Sequence, residues 1–148
     1  MSTVPTYVLD ASVAVKWYLP ESDSDRAARL LTAAEDGLVS LIAPELLLLE
    51  VANAVWKHER RGELSQEDAL GALVRLKETS LAWVPDQDWA YAALGLSLAL
   101  GCAVYDATYL AVAEAYSAQV LTDDRRLCAL CTEAGLTDRA ILLSELDI

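Results

Sequence analysis

Short apolar runs separated by longer stretches with helical spacing set the rhythm of this chain. Tyr7-Val8-Leu9 is apolar throughout and reads as a short buried strand, with a helix from about Ser12 and another from about Ser24 to Glu35, stopped by Gly37. Residues 38–43 form the second strand candidate, and Pro44 suits the first turn of a long helix that runs to about Arg61 and ends at Gly62. Ser65-x-x-Asp68 has the form of a capping box, with aspartate in place of the usual Glu or Gln, and opens a helix to about Thr79. Residues 82–84 follow as a third strand before Pro85. Residues 88–100 are helical and capped by Gly101, and a helix from after Asp106 reaches about Tyr116. A fourth strand over 119–122, a helix over 124–134 ended by Gly135 and a fifth strand over 140–143 complete the alternation. Short apolar strands between helices predict an α/β three-layer sandwich: a mostly parallel sheet of about five strands with helices on both faces.

Four acids interrupt this apolar pattern. Asp10 closes the first run, Glu50 breaks the stretch from Leu46 to Val55, Asp106 follows Ala103-Val104-Tyr105, and Asp124 comes just after Val120-Leu121-Thr122. Singly, each has an ordinary explanation. Asp10, Asp106 and Asp124 could cap the helices that follow, and Glu50, Asn53 and Lys57 form an i, i+3, i+7 stripe that could simply face solvent. Together they suggest more, because open parallel sheets bind ligands beyond the carboxyl ends of their strands, where the strand order reverses. Asp10 and Asp124 lie at or just past such ends, and they meet only if the first and fourth strands are neighbours.

Carboxylates within about 4 to 6 Å of one another raise each other's pKa unless a cation is present. Few basic residues stand beside these four, so a divalent metal is the economical partner. Oxygen donors without His or Cys select Mg²⁺ or Mn²⁺ over zinc, and such ions acidify water and neutralise charge on a phosphoryl group. Phosphodiester hydrolysis is the natural reaction. Other chemistries lack their parts: His58 has no placed Ser or Cys nucleophile, and neither G-x-x-x-x-G-K-[ST] nor G-x-G-x-x-G occurs. An aspartyl-phosphate enzyme using Asp10 would want another acid two positions on, where Ser12 stands. The non-catalytic alternative is a scaffold or receiver-like module that uses the acids only to bind a cation, although a receiver needs a late lysine and none follows Thr122.

A chain of 148 residues that is 55% hydrophobic predicts one domain with a sizeable core. Residues 1–6 lack the pattern of a signal peptide and no apolar run approaches the ~20 residues that span a bilayer, which predicts a cytoplasmic protein with no membrane partner. Three cysteines, an odd number, argue against a disulfide framework, and Cys128-x-x-Cys131 falls inside a helix where both are expected to pack as small hydrophobes. The formal net charge of -12 sits awkwardly with nucleic-acid binding, which normally shows a basic footprint. The bases are local: Lys57, Arg60 and Arg61 end one helix, and Arg125 and Arg126 adjoin Asp124. The same acidity suits a basic protein partner.

Four segments in order carry a family resemblance. They are residues 7–17 with Leu19-Pro20-Glu21, then Pro44-Glu45 through Glu50 to Asn53, then Val104-Tyr105-Asp106-Ala107-Thr108-Tyr109-Leu110-Ala111, and Leu121-Thr122-Asp123-Asp124-Arg125-Arg126-Leu127. In these the chain resembles PIN-domain ribonucleases of the VapC type, the toxins of toxin-antitoxin pairs. The resemblance implies a single PIN domain over 1–148, a Mg²⁺- or Mn²⁺-dependent endoribonuclease, an RNA substrate, a cognate VapB-like antitoxin that covers the site, and commonly a homodimer. It makes Asp10, Glu50 and Asp106 the core acids and Asp124 the fourth, with Asp10 and Asp106 as direct ligands. Glu50 and Asp124 then hold ion-bound waters or a second ion, and one of them helps deprotonate the attacking water. Ser12 and Thr122 fit hydroxyls that orient the carboxylates, while Lys16, Arg125 and Arg126 are the candidate RNA contacts. The family usually has a small residue where this chain has Asp123, which leaves two adjacent acids to choose between; Thr-x-Asp-x-x-Leu spacing favours Asp124.

Overall fold

In the computed structural model, which describes residues 3–148, the chain alternates strand and helix from its first turn. Strand β1 (Thr6–Leu9) leads into a single α-helical turn, α1 (Ala11–Ala14), that tightens into a 3-10 turn over Val15–Trp17. Helix α2 (Ser24–Glu35), strand β2 (Ser40–Pro44), the paired helices α3 (Leu46–Arg60) and α4 (Gln66–Glu78), and strand β3 (Ala82–Val84) follow. Helices α5 (Ala90–Leu100) and α6 (Val104–Ala115), strand β4 (Gln119–Thr122), helix α7 (Arg125–Glu133) and strand β5 (Ala140–Leu142) close the chain.

The five strands form one sheet in the order β3-β2-β1-β4-β5, and every neighbouring pair is parallel. From β1 the chain winds outward through β2 to β3, then returns to place β4 on the other side of β1. The strand order therefore reverses between β1 and β4, the position where such sheets bind ligands. Val8 pairs with Ile42 on one side and Val120 on the other, and Leu9 pairs with Leu121. Asp10 N donates to Leu121 O at 3.0 Å, which carries the ladder one residue past β1 and fixes the start of α1 against the end of β4.

Val8, Leu9, Val120 and Leu121 are fully buried, as expected of strands covered on both faces. Helix α6 is buried from Ala107 to Ala113. It runs through the core rather than along its surface, which is why it lacks a wide polar face. Among the described residues no single helix is long and apolar enough to cross a membrane; α5 and α6 pass only as a pair bent by 111°.

Several boundaries differ from the sequence reading, each for a local reason. Gly37 turns with φ of 72° and leaves Leu38 65% exposed, so β2 begins at Ser40 rather than 38. Pro44 ends β2 opposite Val84 instead of opening α3, because its neighbour Glu45 still donates to Val84 O at 3.0 Å. Helix α3 is capped from outside its own segment: Asp86 Oδ1 accepts from Leu46 N at 2.9 Å. Ser65 caps α4 as the sequence suggests, accepting from Asp68 N at 3.0 Å. Asp106 lies inside the first turn of α6, whose cap position is Ala103, so Val104-Tyr105 is helix and not an apolar run leading to the acid. The cysteines are free thiols, with Cys131 buried in the core and Cys128 half-buried beside it on α7.

Candidate active site

Asp10 stands at the cap position of α1, yet its side chain makes no capping hydrogen bond. Its carboxylate turns to two hydroxyls instead. Ser12 Oγ donates to Asp10 Oδ2 at 2.8 Å and Thr122 Oγ1 donates to the same oxygen at 2.7 Å. Each hydroxyl oxygen also accepts a backbone N–H: Asp123 N reaches Ser12 Oγ at 2.9 Å and Asp124 N reaches Thr122 Oγ1 at 3.0 Å. A hydroxyl has one proton to give, and each has Asp10 Oδ2 within reach, with the other hydroxyl 3.3 Å away as the alternative acceptor. Ser12 and Thr122, expected from the sequence to stand beside carboxylates, both contact Asp10.

Glu50 leaves the solvent stripe that its spacing with Asn53 and Lys57 suggested. Those two are exposed, whereas Glu50 is half-buried and its Oε1 accepts from Tyr109 OH at 2.8 Å. Tyr109 comes from α6, three residues after Asp106, so one face of one core helix supplies both an acid and the donor that fixes another acid. Asp124 caps α7, its Oδ1 accepting from Arg126 N at 2.9 Å and Leu127 N at 3.3 Å. Here the simple capping role is real, and it holds the residue at the rim between β4 and α7.

The acids sense one another. Burial pushes the Asp10 carboxyl above the usual carboxylate range, the hydroxyls of Thr122 and Ser12 pull it back, and the charge of Asp106 pushes it further up. Glu50 is raised by burial and by Asp10, Asp106 and Asp86 against the lowering hydrogen bond from Tyr109. Asp106 is raised by burial and by Asp124, with Arg126 opposing. Burial, reinforced by Asp10 and Glu50, holds the Tyr109 phenol far above its ordinary range, so it is a donor at any ordinary pH. Four carboxylates from β1, α3, α6 and the β4–α7 junction therefore share one electrostatic neighbourhood.

Among the described residues, no three His, Cys, Asp or Glu side chains come close enough to hold one metal ion together. The donors are nevertheless of the type a hard cation takes, and the raised pKa values mark a place where negative charge is under-compensated. Mg²⁺ is commonly bound by one or two carboxylates with waters and substrate phosphates rather than by a full protein cage. The residues fit such an ion in chemistry and in charge. A cleft of about 580 Å³ lined by Glu114, Gln119, Leu136 and Arg139 opens beside the start of β4, at the other edge of the sheet from these acids.

Lys16 is corrected by the structure. Expected as an RNA contact, it is buried, with Nζ donating to Ser22 O at 2.7 Å and lying 3.2 Å from Asp123 Oδ2 and 3.8 Å from Glu21 Oε2. A 3-10 turn points its stem inward, and no surface is left for a phosphate. Arg125 and Arg126 are exposed at the rim. Asp123 is the acid paired with Lys16, and Asp124 is the one whose charge reaches Asp106. Sequence reasoning missed Tyr109 and Asp86. The i, i+3 spacing from Asp106 could have flagged the first, and the position of Asp86 just past β3, at the same sheet edge, the second.

The all-parallel sheet with acids gathered where its order reverses defines the class: an α/β protein with carboxylates at the carboxyl edge of its sheet. The PIN domain family model matches residues 7–133, and the chain belongs to that family. It is 38% identical over 125 residues to Ribonuclease VapC3 of Pyrobaculum aerophilum, covering 81% of this chain and 90% of the relative. The crystal structure of PAE2754 from the same organism superposes with a TM-score of 0.71 at 25% identity, covering 96% of this chain and 93% of that one. Mycobacterium tuberculosis VapC20, described as a sarcin-ricin loop cleaving toxin, shares the fold with a TM-score of 0.65 at 16% identity, over 83% of this chain and 93% of its own. So does a toxin-antitoxin complex from Klebsiella pneumoniae, with a TM-score of 0.62 at 15% identity over 95% and 99%.

Proposed function

We propose that the protein is a Mg²⁺- or Mn²⁺-dependent endoribonuclease and acts as the toxin of a toxin-antitoxin pair. The observation that carries the reading is the state of Asp10, buried at the strand switch with two hydroxyls on Oδ2 and the charges of Asp106 and Glu50 nearby. A resident cation would supply charge neutralisation for the phosphodiester and a more acidic water. Asp10, through its other oxygen, and Asp106 would hold it directly. Glu50, held by Tyr109, and Asp124, at the helix cap, would orient water, and the raised pKa of Glu50 would suit it to accept a proton. Arg125 and Arg126 are the exposed bases at hand for RNA phosphates.

The partners belong to the same reading. A net charge of -12 favours a basic antitoxin segment laid over the acids. Helix α5 holds no charged residue and exposes Tyr91, Leu94 and Leu98, so it is the face on which two such acidic copies could meet with least repulsion. A Leu98→Glu variant that scatters light as a monomer beside a dimeric parent would support that contact, and an unchanged mass would remove it.

Purified protein with Mn²⁺ and a panel of structured RNAs tests the activity. Cleavage lost in a folded Asp10→Asn variant is the expected result. Undiminished cleavage by that variant takes Asp10 out of the mechanism, and Mn²⁺ uptake without cleavage of any RNA leaves a non-catalytic cation-binding module.

A further inference from the structure

Lys16 occupies an unusual position for a lysine. Its side chain is 2% exposed, and lysine is almost never fully buried unless paired. The pairing draws together two segments: Ser22 O and Glu21 from the loop before α2, and Asp123 from the β4–α7 junction. That junction carries two adjacent aspartates that part company at a bend: Asp123 pairs with Lys16, and Asp124 is the one whose charge reaches Asp106. Lys16 holds Asp123 on its own side.

The same junction is pinned by its amides. Asp123 N is held by Ser12 Oγ and Asp124 N by Thr122 Oγ1, the two hydroxyls whose protons go to Asp10 Oδ2. A continuous path therefore runs from the Lys16 ammonium through Asp123 to Ser12 Oγ, and through the next residue, Asp124, to Thr122 Oγ1, with both hydroxyls on Asp10. Shift the junction, and Asp124 loses its aim while Ser12 and Thr122 lose the amides that hold their oxygens beside Asp10. Unpairing Asp123 would also leave a further free negative charge next to an acid cluster already short of positive charge.

We propose that Lys16 is a positioning residue for the nuclease site: by binding Asp123 it sets which of the two adjacent aspartates faces the cation and holds the hydroxyls that orient Asp10. The proposal rests on the metal-nuclease reading and is tested apart from it. Lys16→Met, Lys16→Arg and Asp123→Asn are compared with the parent in two measurements. One is kcat and KM for RNA cleavage with Mn²⁺. The other is amide hydrogen exchange of Asp123 and Asp124 in the metal-free protein, with Val8 and Leu9 as internal controls.

Asp123→Asn and Lys16→Met are expected to lower kcat about ten- to a hundredfold with KM within about twofold, the range of partners that orient ligating groups, and Lys16→Arg to recover most of it. Exchange at Asp124 should quicken about tenfold while Val8 and Leu9 stay protected. A rise in KM alone would make Lys16 an RNA contact and overturn the proposal. A loss of thermal stability with unchanged kcat and unchanged Asp124 exchange would reduce Lys16 to a structural lysine. If Lys16→Met fails to fold, Asp123→Asn decides, since it removes only the paired charge. If the parent cleaves no RNA, the nuclease reading fails, and the exchange measurement still decides whether Lys16 holds the junction.

Discussion

Thr122→Val removes one oxygen at the centre of the site and keeps nearly the same shape. Thr122 is fully buried, so the lost hydroxyl is not replaced by water. Its bond to Asp10 Oδ2, at 2.7 Å, is to a group that ionises, and hydrogen bonds of that kind contribute about 1.5 to 3 kcal/mol. The variant also strips the acceptor from Asp124 N, a half-buried donor that costs about 1 kcal/mol or more when left unpaired. Ser12 still donates to Asp10, which caps the damage. The expected loss is about 3 kcal/mol, a large share of the ~5 to 15 kcal/mol that holds a domain of this size together. Urea denaturation in EDTA at pH 8 measures it, with Thr122→Ser as the control that keeps the hydroxyl and loses a methyl, costing about 1 kcal/mol. The bond favours charged Asp10, so the difference between Thr122→Val and parent should shrink as pH falls through the raised Asp10 pKa. A loss under about 1 kcal/mol, or one of equal size in an Asp10→Ala background, refutes the assignment of that hydroxyl to Asp10.

Tyr109→Phe removes the donor to Glu50 and should lower kcat about tenfold while leaving KM within about twofold; unchanged kcat would make the hydroxyl incidental. A carboxyl whose folded pKa lies above its unfolded value binds more protons in the folded state between the two, so it destabilises the fold as pH rises through that interval. Asp10, Glu50 and Asp106 all shift this way, so the melting temperature of EDTA-treated protein should rise on acidification from pH 8 toward the ordinary carboxylate range, with a shallower slope once Mn²⁺ is added. A flat profile, or one indifferent to Mn²⁺, counts against the cluster. Arg125→Gln with Arg126→Gln should raise KM for RNA and flatten the logarithmic salt dependence of binding by about 0.7 for each phosphate that is no longer neutralised; an unchanged slope places the RNA elsewhere.

The central strands were legible because burial on both faces leaves little choice but a continuous apolar run, as at Val8, Leu9, Val120 and Leu121. Asp10 and Asp124 stood out for the complementary reason: a carboxylate just past such a run has no apolar explanation. What the sequence withheld lies in contacts between distant segments. Capping accounts for Asp124 and fails for Asp10, yet both follow a strand and precede a helix, and only the position of Thr122 beside β1 separates them. Lys16 reads as a surface base because nothing near it in sequence announces Asp123, more than a hundred positions later. Glu50 taken alone reads as part of a solvent stripe, because its partner, Tyr109, arrives on another helix.

An aspartate at a helix cap normally contributes about 1 kcal/mol by accepting backbone N–H groups, and Asp10 forgoes that bond. Its carboxylate is instead buried next to like charge, a placement that works against the metal-free fold. Asparagine at position 10 keeps an oxygen for the Ser12 and Thr122 hydroxyls and carries no charge, so it relieves burial and the repulsion from Asp106 at once. Asp10→Asn should therefore be at least as stable as the parent in EDTA near pH 8, while losing RNA cleavage. Mn²⁺ at about 100 times its Kd should add roughly 2.7 kcal/mol to the parent and much less to the variant, because only the parent keeps the charge that attracts the ion. Paired urea titrations with and without Mn²⁺ read both quantities. A variant markedly less stable than the parent in EDTA would mean that the Asp10 charge is a net structural asset, and equal stabilisation of both proteins by Mn²⁺ would place the cation away from Asp10.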